Sequence, residues 1–154
     1  MMAGIYVWMK LILLCALLNL IRYYVIGFIE GLVVMGPLWA AMEESISYFN
    51  TDFQTIDWVT SYTYNFVMWL AVTFAFHKTY LSLQGHMVIR SLKVYLFFFV
   101  VFASVSAIYM NHYNHPKDFY LYNILDAALV FPLVALANGY LYPLLFRPKP
   151  DFLE

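Results

Sequence analysis

Two carboxylic acids lie inside long apolar stretches of this chain, where charged side chains are rare. Glu30 is the only charged residue in residues 23–42, and Asp126 falls inside a second apolar stretch that begins at Phe119. An acid in such a place costs roughly 2.5–3.5 kcal/mol on membrane-insertion scales, so it should face protein or water rather than lipid. We therefore expect Glu30 and Asp126 to be the catalytic pair, and proton transfer is the chemistry that suits two carboxyls.

Glu30 also has a structural interpretation. It lies within the spacing Gly27-x-x-x-Gly31, which permits close helix approach, and it could pair with Arg22 or mark the end of a span at the headgroups. The other interpretation is a desolvated carboxyl that exchanges a proton. The residues alone leave both open.

Asp126 shares one helix face with Asn123, three residues earlier. Pro132 follows and should kink the helix, because it frees the backbone carbonyl four residues back. Asp126 would then be either an acid satisfied by polar neighbours within the bundle or a group that acts on a ligand beside Asn123.

A polar stripe runs along the predicted span 58–81. Ser61, Asn65 and Trp69 are spaced by four residues, which places them on one helix face. Hydrogen bonding between helices explains such a stripe without any chemistry. The functional alternative is that Asn65 and Trp69, with Tyr62, bind a ligand inside the bundle.

His112, His115 and Asp118 form a His-x-x-His-x-x-Asp pattern in the third connection. Imidazole and carboxylate groups can hold a divalent metal, but no helix fixes both rings on one face here. We therefore expect no metal and no cofactor. The segment is either a solvated loop at the membrane interface or, if it is functional, one whose two histidines contribute polar groups at the mouth of a ligand cavity.

The composition is that of an integral membrane protein. Hydrophobic residues make up 64% of the chain and charged residues 11%, far from the values of about 45–50% and about 25% in globular proteins. The net charge of −1 gives no basic footprint for nucleic acid. The single cysteine, Cys15, excludes an internal disulfide.

The apolar stretches predict an all-α membrane bundle in one transmembrane domain covering residues 1–154. Four spans are expected, at approximately 8–36, 58–81, 91–110 and 119–146.

The N-terminal apolar run allows more than one division. A straight helix over its forty-odd residues would measure about 60 Å, twice the hydrocarbon thickness. We expect one tilted helix that ends near Gly36-Pro37, because proline cannot continue the hydrogen-bond ladder. Alternatively, residues 23–42 form the span and residues 1–21 lie along the membrane, or a turn at residues 19–22 gives five spans.

The charges predict an orientation in the membrane. Acids dominate residues 43–57, whereas basic residues flank the second loop and the C-terminal end. By the positive-inside rule, four spans then place both termini in the cytoplasm, whether the membrane is the endoplasmic reticulum of a eukaryote or the inner membrane of a bacterium. The basic residues concerned are Lys78, Arg90, Lys93, Arg147 and Lys149.

The order of these features resembles the EXPERA family, which includes emopamil-binding sterol isomerases and sigma-2-receptor-like proteins. The resemblance implies a four-helix membrane bundle around a sterol-sized cavity, with an acid late in the first helix. Two positions depart from the family pattern: Ile26 replaces a histidine, and Asn65 stands where the isomerases carry an acid. The matching residues are Ile29-Glu30-Gly31, the acidic segment 43–57, His115-Pro116-x-x-Phe119, Asp126-Ala127 and Pro132.

Two function classes remain open. In the first, the bundle encloses a cavity for a hydrophobic small molecule such as a sterol, terpenoid or lipid, and the protein is an isomerase or cyclase that moves protons. In the second, it is a non-catalytic subunit or assembly factor of a larger membrane complex. Both leave room for membrane lipids as partners and for a homo-oligomer.

Overall fold

The computed structural model describes residues 2–49, 52, 54–113 and 116–146. Of these residues 91% are helical, and none forms a strand, which confirms the all-α membrane bundle. The helices are α1 Met2–Ile21, a π-helical segment Arg22–Ile26, α2 Gly27–Val33, α3 Met35–Glu43, α4 Thr55–Thr79, α5 Met87–His112 and α6 Lys117–Phe146, with short 3-10 turns at Ile46–Tyr48 and Tyr80–Ser82.

Four long helices close into a ring. The α1 helix packs on α4 and α6, and α5 packs on the same two, with the most extensive contact between α5 and α6. The start of α1 lies beside the end of α6, where the Lys10 ammonium donates to the Leu145 carbonyl at 2.5 Å. The ring surrounds a core whose largest fully buried side chains are Trp69, Tyr95, Tyr142 and Phe76.

Within the described residues, three helices are long and apolar enough to cross a membrane: Gly4–Val33, Met87–His112 and Lys117–Phe146. The fourth predicted span falls on α4, which has sufficient length at 25 residues but is less apolar. Its first half carries hydroxyl and amide side chains, among them Ser61, Thr63 and Asn65. The α4 helix therefore completes the bundle as its most polar member.

The N-terminal helix breaks at Val34, with φ −118°, two residues before the Gly36-Pro37 pair near which its end was expected. The chain passes through residues 19–22 without a turn and resumes as α3 after the break. Pro37 lies in the first turn of α3, where its missing N–H is tolerated. The carbonyl of Val33 loses its usual donor four residues on, because proline has no N–H, and the helix is interrupted there.

The α5 and α6 helices approach each other closely at a glycine. A Cβ atom at Gly139 would lie 2.6 Å from the Cα of Val88, closer than real Cβ contacts allow. Nearby, the Ser91 hydroxyl donates to the Ala135 carbonyl at 2.8 Å, and the Asn138 amide donates to the Ser91 hydroxyl at 2.9 Å. The absence of a side chain at Gly139 thus lets α5 and α6 approach closely enough for these buried hydrogen bonds to form.

Candidate functional site: a polar cavity inside the bundle

A cavity of about 230 Å³ lies where the four bundle helices meet. Its polar wall contains a guanidinium, a carboxyl and two amides, from Arg22, Asp126, Asn65 and Asn123. The rest of the lining is apolar and largely aromatic. It consists of Met68, Trp69, Phe102, Ala127, Val130 and Phe131.

The π-helical segment Arg22–Ile26 brings an arginine and an acid onto one face. In a regular α-helix, residues eight apart differ by about 80° around the axis, whereas residues seven apart differ by about 20°. One π turn accommodates an extra residue, so Arg22 and Glu30 align as if they were seven apart. The Arg22 Nη1 atom then donates to Glu30 Oε2 at 2.5 Å, the ion pair that the structural interpretation predicted.

A second carboxyl adjoins this pair. The Asp126 carboxyl lies within interaction range of Glu30, whose side chain is only 3% exposed. Glu30 Oε1 and Asp126 Oδ1 are both buried, and neither has a hydrogen-bond partner within the described residues. One guanidinium therefore faces two carboxyls. If both were ionised, one negative charge would lack a partner, so the site favours a shared proton or a ligand group that is cationic or donates hydrogen bonds.

Near the carboxyls, two further polar atoms lack a hydrogen-bond partner. Asn65 Oδ1 and Trp69 Nε1 are buried and make no hydrogen bond within the described chain. The Trp69 ring itself is held tightly, with its centroid 5.0 Å from that of Phe131 and 6.0 Å from that of Tyr95. A buried unpaired polar group costs about 1–3 kcal/mol, so water or a ligand that bonds to these atoms is stabilised there.

The remaining predicted site residues occupy different places. Asn123 lines the cavity, three residues before Asp126. Tyr62 precedes Trp69 by seven residues, so it lies about 10 Å from Trp69 along the axis of α4. It is 49% exposed and packs edge-on against Tyr23 instead of lining the cavity.

His112, the described histidine of the third connection, does not line the cavity. His112 is exposed at the end of α5, with Nδ1 2.9 Å from the Ile108 carbonyl oxygen of its own helix. His115 lies outside the described residues. Across the part of the chain that is described, no three His, Cys, Asp or Glu side chains gather as metal ligands would.

The polar stripe on α4 divides into two parts. Asn65 and Trp69 belong to the cavity, as above. The continuation is structural: the Thr73 hydroxyl lies 3.3 Å from the hydroxyl of Tyr95, and His77 Nδ1 lies 2.8 Å from that of Tyr142. Hydrogen bonding between helices, one of the two interpretations of the stripe, thus accounts for its continuation at Thr73 and His77.

Sequence reasoning treated Arg22 only as a possible partner of Glu30, and it missed the aromatic wall from Phe102 and Phe131. A lone arginine in an apolar run was the available signal for Arg22. Nothing in the spacing of the phenylalanines distinguished these two from their many neighbours. No protein-family model, curated protein or solved structure matches this chain, so the cavity is interpreted from its own geometry.

Proposed function

We propose that this membrane protein binds a hydrophobic small molecule, such as a sterol, terpenoid or lipid, by a polar group that enters the cavity. The observation that carries the proposal is the set of unpaired buried atoms on Asn65, Trp69 and Asp126 around one space. Glu30 adjoins this space through its contact with Arg22 and its proximity to Asp126. At about 230 Å³ that space is smaller than the roughly 300–1,000 Å³ of pockets that enclose a whole drug-sized ligand. It therefore receives one end of the ligand, while the apolar remainder extends toward lipid.

The same residues suit proton transfer on such a ligand. Arg22 is hydrogen-bonded to Glu30, so we assign the role of proton donor to Asp126 and that of proton acceptor to Glu30. In a double-bond isomerisation, Asp126 would protonate one alkene carbon, and Glu30 would remove a proton from the carbon next to the resulting cation. The proton then returns from Glu30 to Asp126, so that the protein is unchanged. The Trp69 and Phe131 rings would stabilise the cation.

The resemblance to EXPERA proteins supports the binding part of this proposal more than the catalytic part. Asn65 offers an amide where the sterol isomerases carry an acid, and Ile26 replaces their histidine. An amide binds and orients a hydroxyl but transfers no proton at neutral pH. Isomerisation would therefore depend on Glu30 and Asp126 alone.

The alternative function is that of a non-catalytic subunit or assembly factor in a membrane complex. The Arg22–Glu30 ion pair favours it, because a paired acid can serve packing alone. Gly31 also presents an open surface, with nothing within 4 Å of an added Cβ atom.

Photo-crosslinking distinguishes the two functions. The full chain in native-like membranes would be labelled with a diazirine sterol and a diazirine terpenoid, and the labelled peptides would be mapped. The binding function predicts label at residues 65–69 and 123–131 that falls several-fold in Asp126→Asn. The matched control is Asp118→Asn, an exposed acid in the first turn of the same helix. Label confined to the outer surface and equal in both variants would contradict the proposal.

A further inference from the structure

Two apolar grooves run down opposite flanks of α5, on the outer surface of the bundle. The first, of about 370 Å³, lies between α5 and α6 and includes Leu92, Leu96 and Phe99. The second, of about 320 Å³, lies between α4 and α5 and includes Ala75 and Val94. The second groove shares no lining residue with the polar cavity, and the first shares only Phe131 with it.

One lysine borders both grooves. Lys93 lines each of them, and at about 100° per residue it falls about midway between their two faces on α5. The Lys93 side chain is exposed, and its ammonium donates to the Gln84 carbonyl at 3.0 Å, in the loop that precedes the helix. The side chain therefore reaches back from the apolar surface toward the membrane interface, as snorkelling lysines do.

The length of the first groove matches one leaflet. Its α5 residues run from Ile89 to Phe99, and ten residues of helix rise about 15 Å, half of a hydrocarbon core of about 30 Å. A chain that starts near Lys93 would thus lie along the protein to about the membrane midplane.

The sequence around the loop between α4 and α5 is basic. No Asp or Glu occurs between Asp57 and Asp118, whereas Lys78 and Lys93 are both exposed here. Each Lys or Arg near a membrane surface attracts anionic lipid by about 1 kcal/mol. A ligand for this surface should therefore combine an anionic headgroup with apolar chains.

We propose that α5 carries a binding site for one anionic diacyl phospholipid, with the phosphate at Lys93 and one acyl chain in each groove. The site is independent of the proposed ligand in the polar cavity. Its elements are a shared cation at the interface and two apolar grooves that diverge from it.

Native mass spectrometry of the full chain tests the headgroup contact. The chain would be titrated with dioleoyl phosphatidylglycerol and with dioleoyl phosphatidylcholine, which have the same acyl chains. We expect one preferentially retained phosphatidylglycerol, and about fivefold weaker retention in Lys93→Gln. Lys117→Gln, an exposed lysine at the opposite end of the bundle, is the matched control and should bind as the parent does. Equal retention of the two lipids, or equal binding by Lys93→Gln and its control, would overturn the proposal.

A second variant tests the acyl-chain placement. Ala75→Leu adds bulk to the second groove without changing any charge, and Val105→Leu adds bulk on an exposed surface away from both grooves. We expect Ala75→Leu to lower phosphatidylglycerol retention several-fold at an unchanged helix content, while Val105→Leu leaves it unchanged. Full retention in Ala75→Leu would overturn the assignment of an acyl chain to that groove.

Discussion

Arg22 Nη1 lies 2.5 Å from Glu30 Oε2, although eight residues separate the two side chains along one helix. The π-helical segment Arg22–Ile26 makes this contact possible by rotating the two positions into line. The ion pair has two consequences. It neutralises an acid that would otherwise be costly inside the membrane, and it leaves the adjacent Asp126 without a cation of its own.

Removing one member of this pair should destabilise the protein. Glu30→Gln removes the carboxylate that is bonded to a guanidinium only 16% exposed. Because Asp126 remains nearby as a second carboxyl, we expect a cost of at most about 3 kcal/mol, the lower end for buried pairs. Thermal unfolding in mild detergent would show a lower midpoint than the parent. Glu43→Gln, an exposed acid at the end of α3, is the control and should unfold at the parent temperature.

Replacing both members of the pair should restore part of the loss, since the double variant no longer buries the Arg22 guanidinium without Glu30. We expect the double variant Arg22→Gln, Glu30→Gln to be more stable than Glu30→Gln. If the double variant unfolded at the same temperature as Glu30→Gln or at a lower one, the loss of the ion pair would not explain the destabilisation of Glu30→Gln.

The close approach of α5 and α6 predicts opposite results at two glycines. Gly139→Ala places a methyl group 2.6 Å from the Val88 backbone, so the helices must separate, at about 1–3 kcal/mol. Gly31→Ala meets nothing within 4 Å and should be neutral, or stabilising by about 0.5–1 kcal/mol through helix propensity. Unfolding midpoints of the two variants give the comparison. A Gly139→Ala protein as stable as Gly31→Ala would rule out the tight α5–α6 packing.

The predicted orientation can be tested by cysteine labelling, because the natural cysteine gives no background. Cys15 is fully buried, so a membrane-impermeant maleimide should not reach it. We expect Glu44→Cys to react in intact cells or right-side-out vesicles, and Gln84→Cys to react only after permeabilisation. The reverse pattern would show that the basic loop faces away from the cytoplasm.

The sequence was sufficient to predict the helices and the two acids, because both depend on local composition. Long apolar runs indicate helices in a membrane, and a lone acid in such a run must find a protein partner. Helical spacing also predicted that Asn65 and Trp69 share one face of α4, and that Asn123 and Asp126 share one face of α6.

Other features depend on geometry that residue spacing does not encode. Tyr62 falls on nearly the same helix face as Trp69, yet it lies outside the cavity. Residue spacing specifies the helix face, but the neighbouring helices determine how far along that face the cavity extends. The π turn at Arg22–Ile26 has no signature in this stretch of sequence. Without it, Arg22 and Glu30 would be assigned to different faces.

The central claim is that the cavity at Glu30 and Asp126 holds the polar end of a hydrophobic molecule. Native mass spectrometry of the protein, extracted gently from its own membrane, tests it most directly when combined with lipid analysis of what co-elutes. We predict a monomer or small homo-oligomer that carries one discrete sterol- or terpenoid-sized molecule, which is lost in Asp126→Asn and kept in Asp118→Asn. A fixed hetero-complex without a small-molecule ligand would contradict the claim and assign Glu30 and Asp126 to assembly.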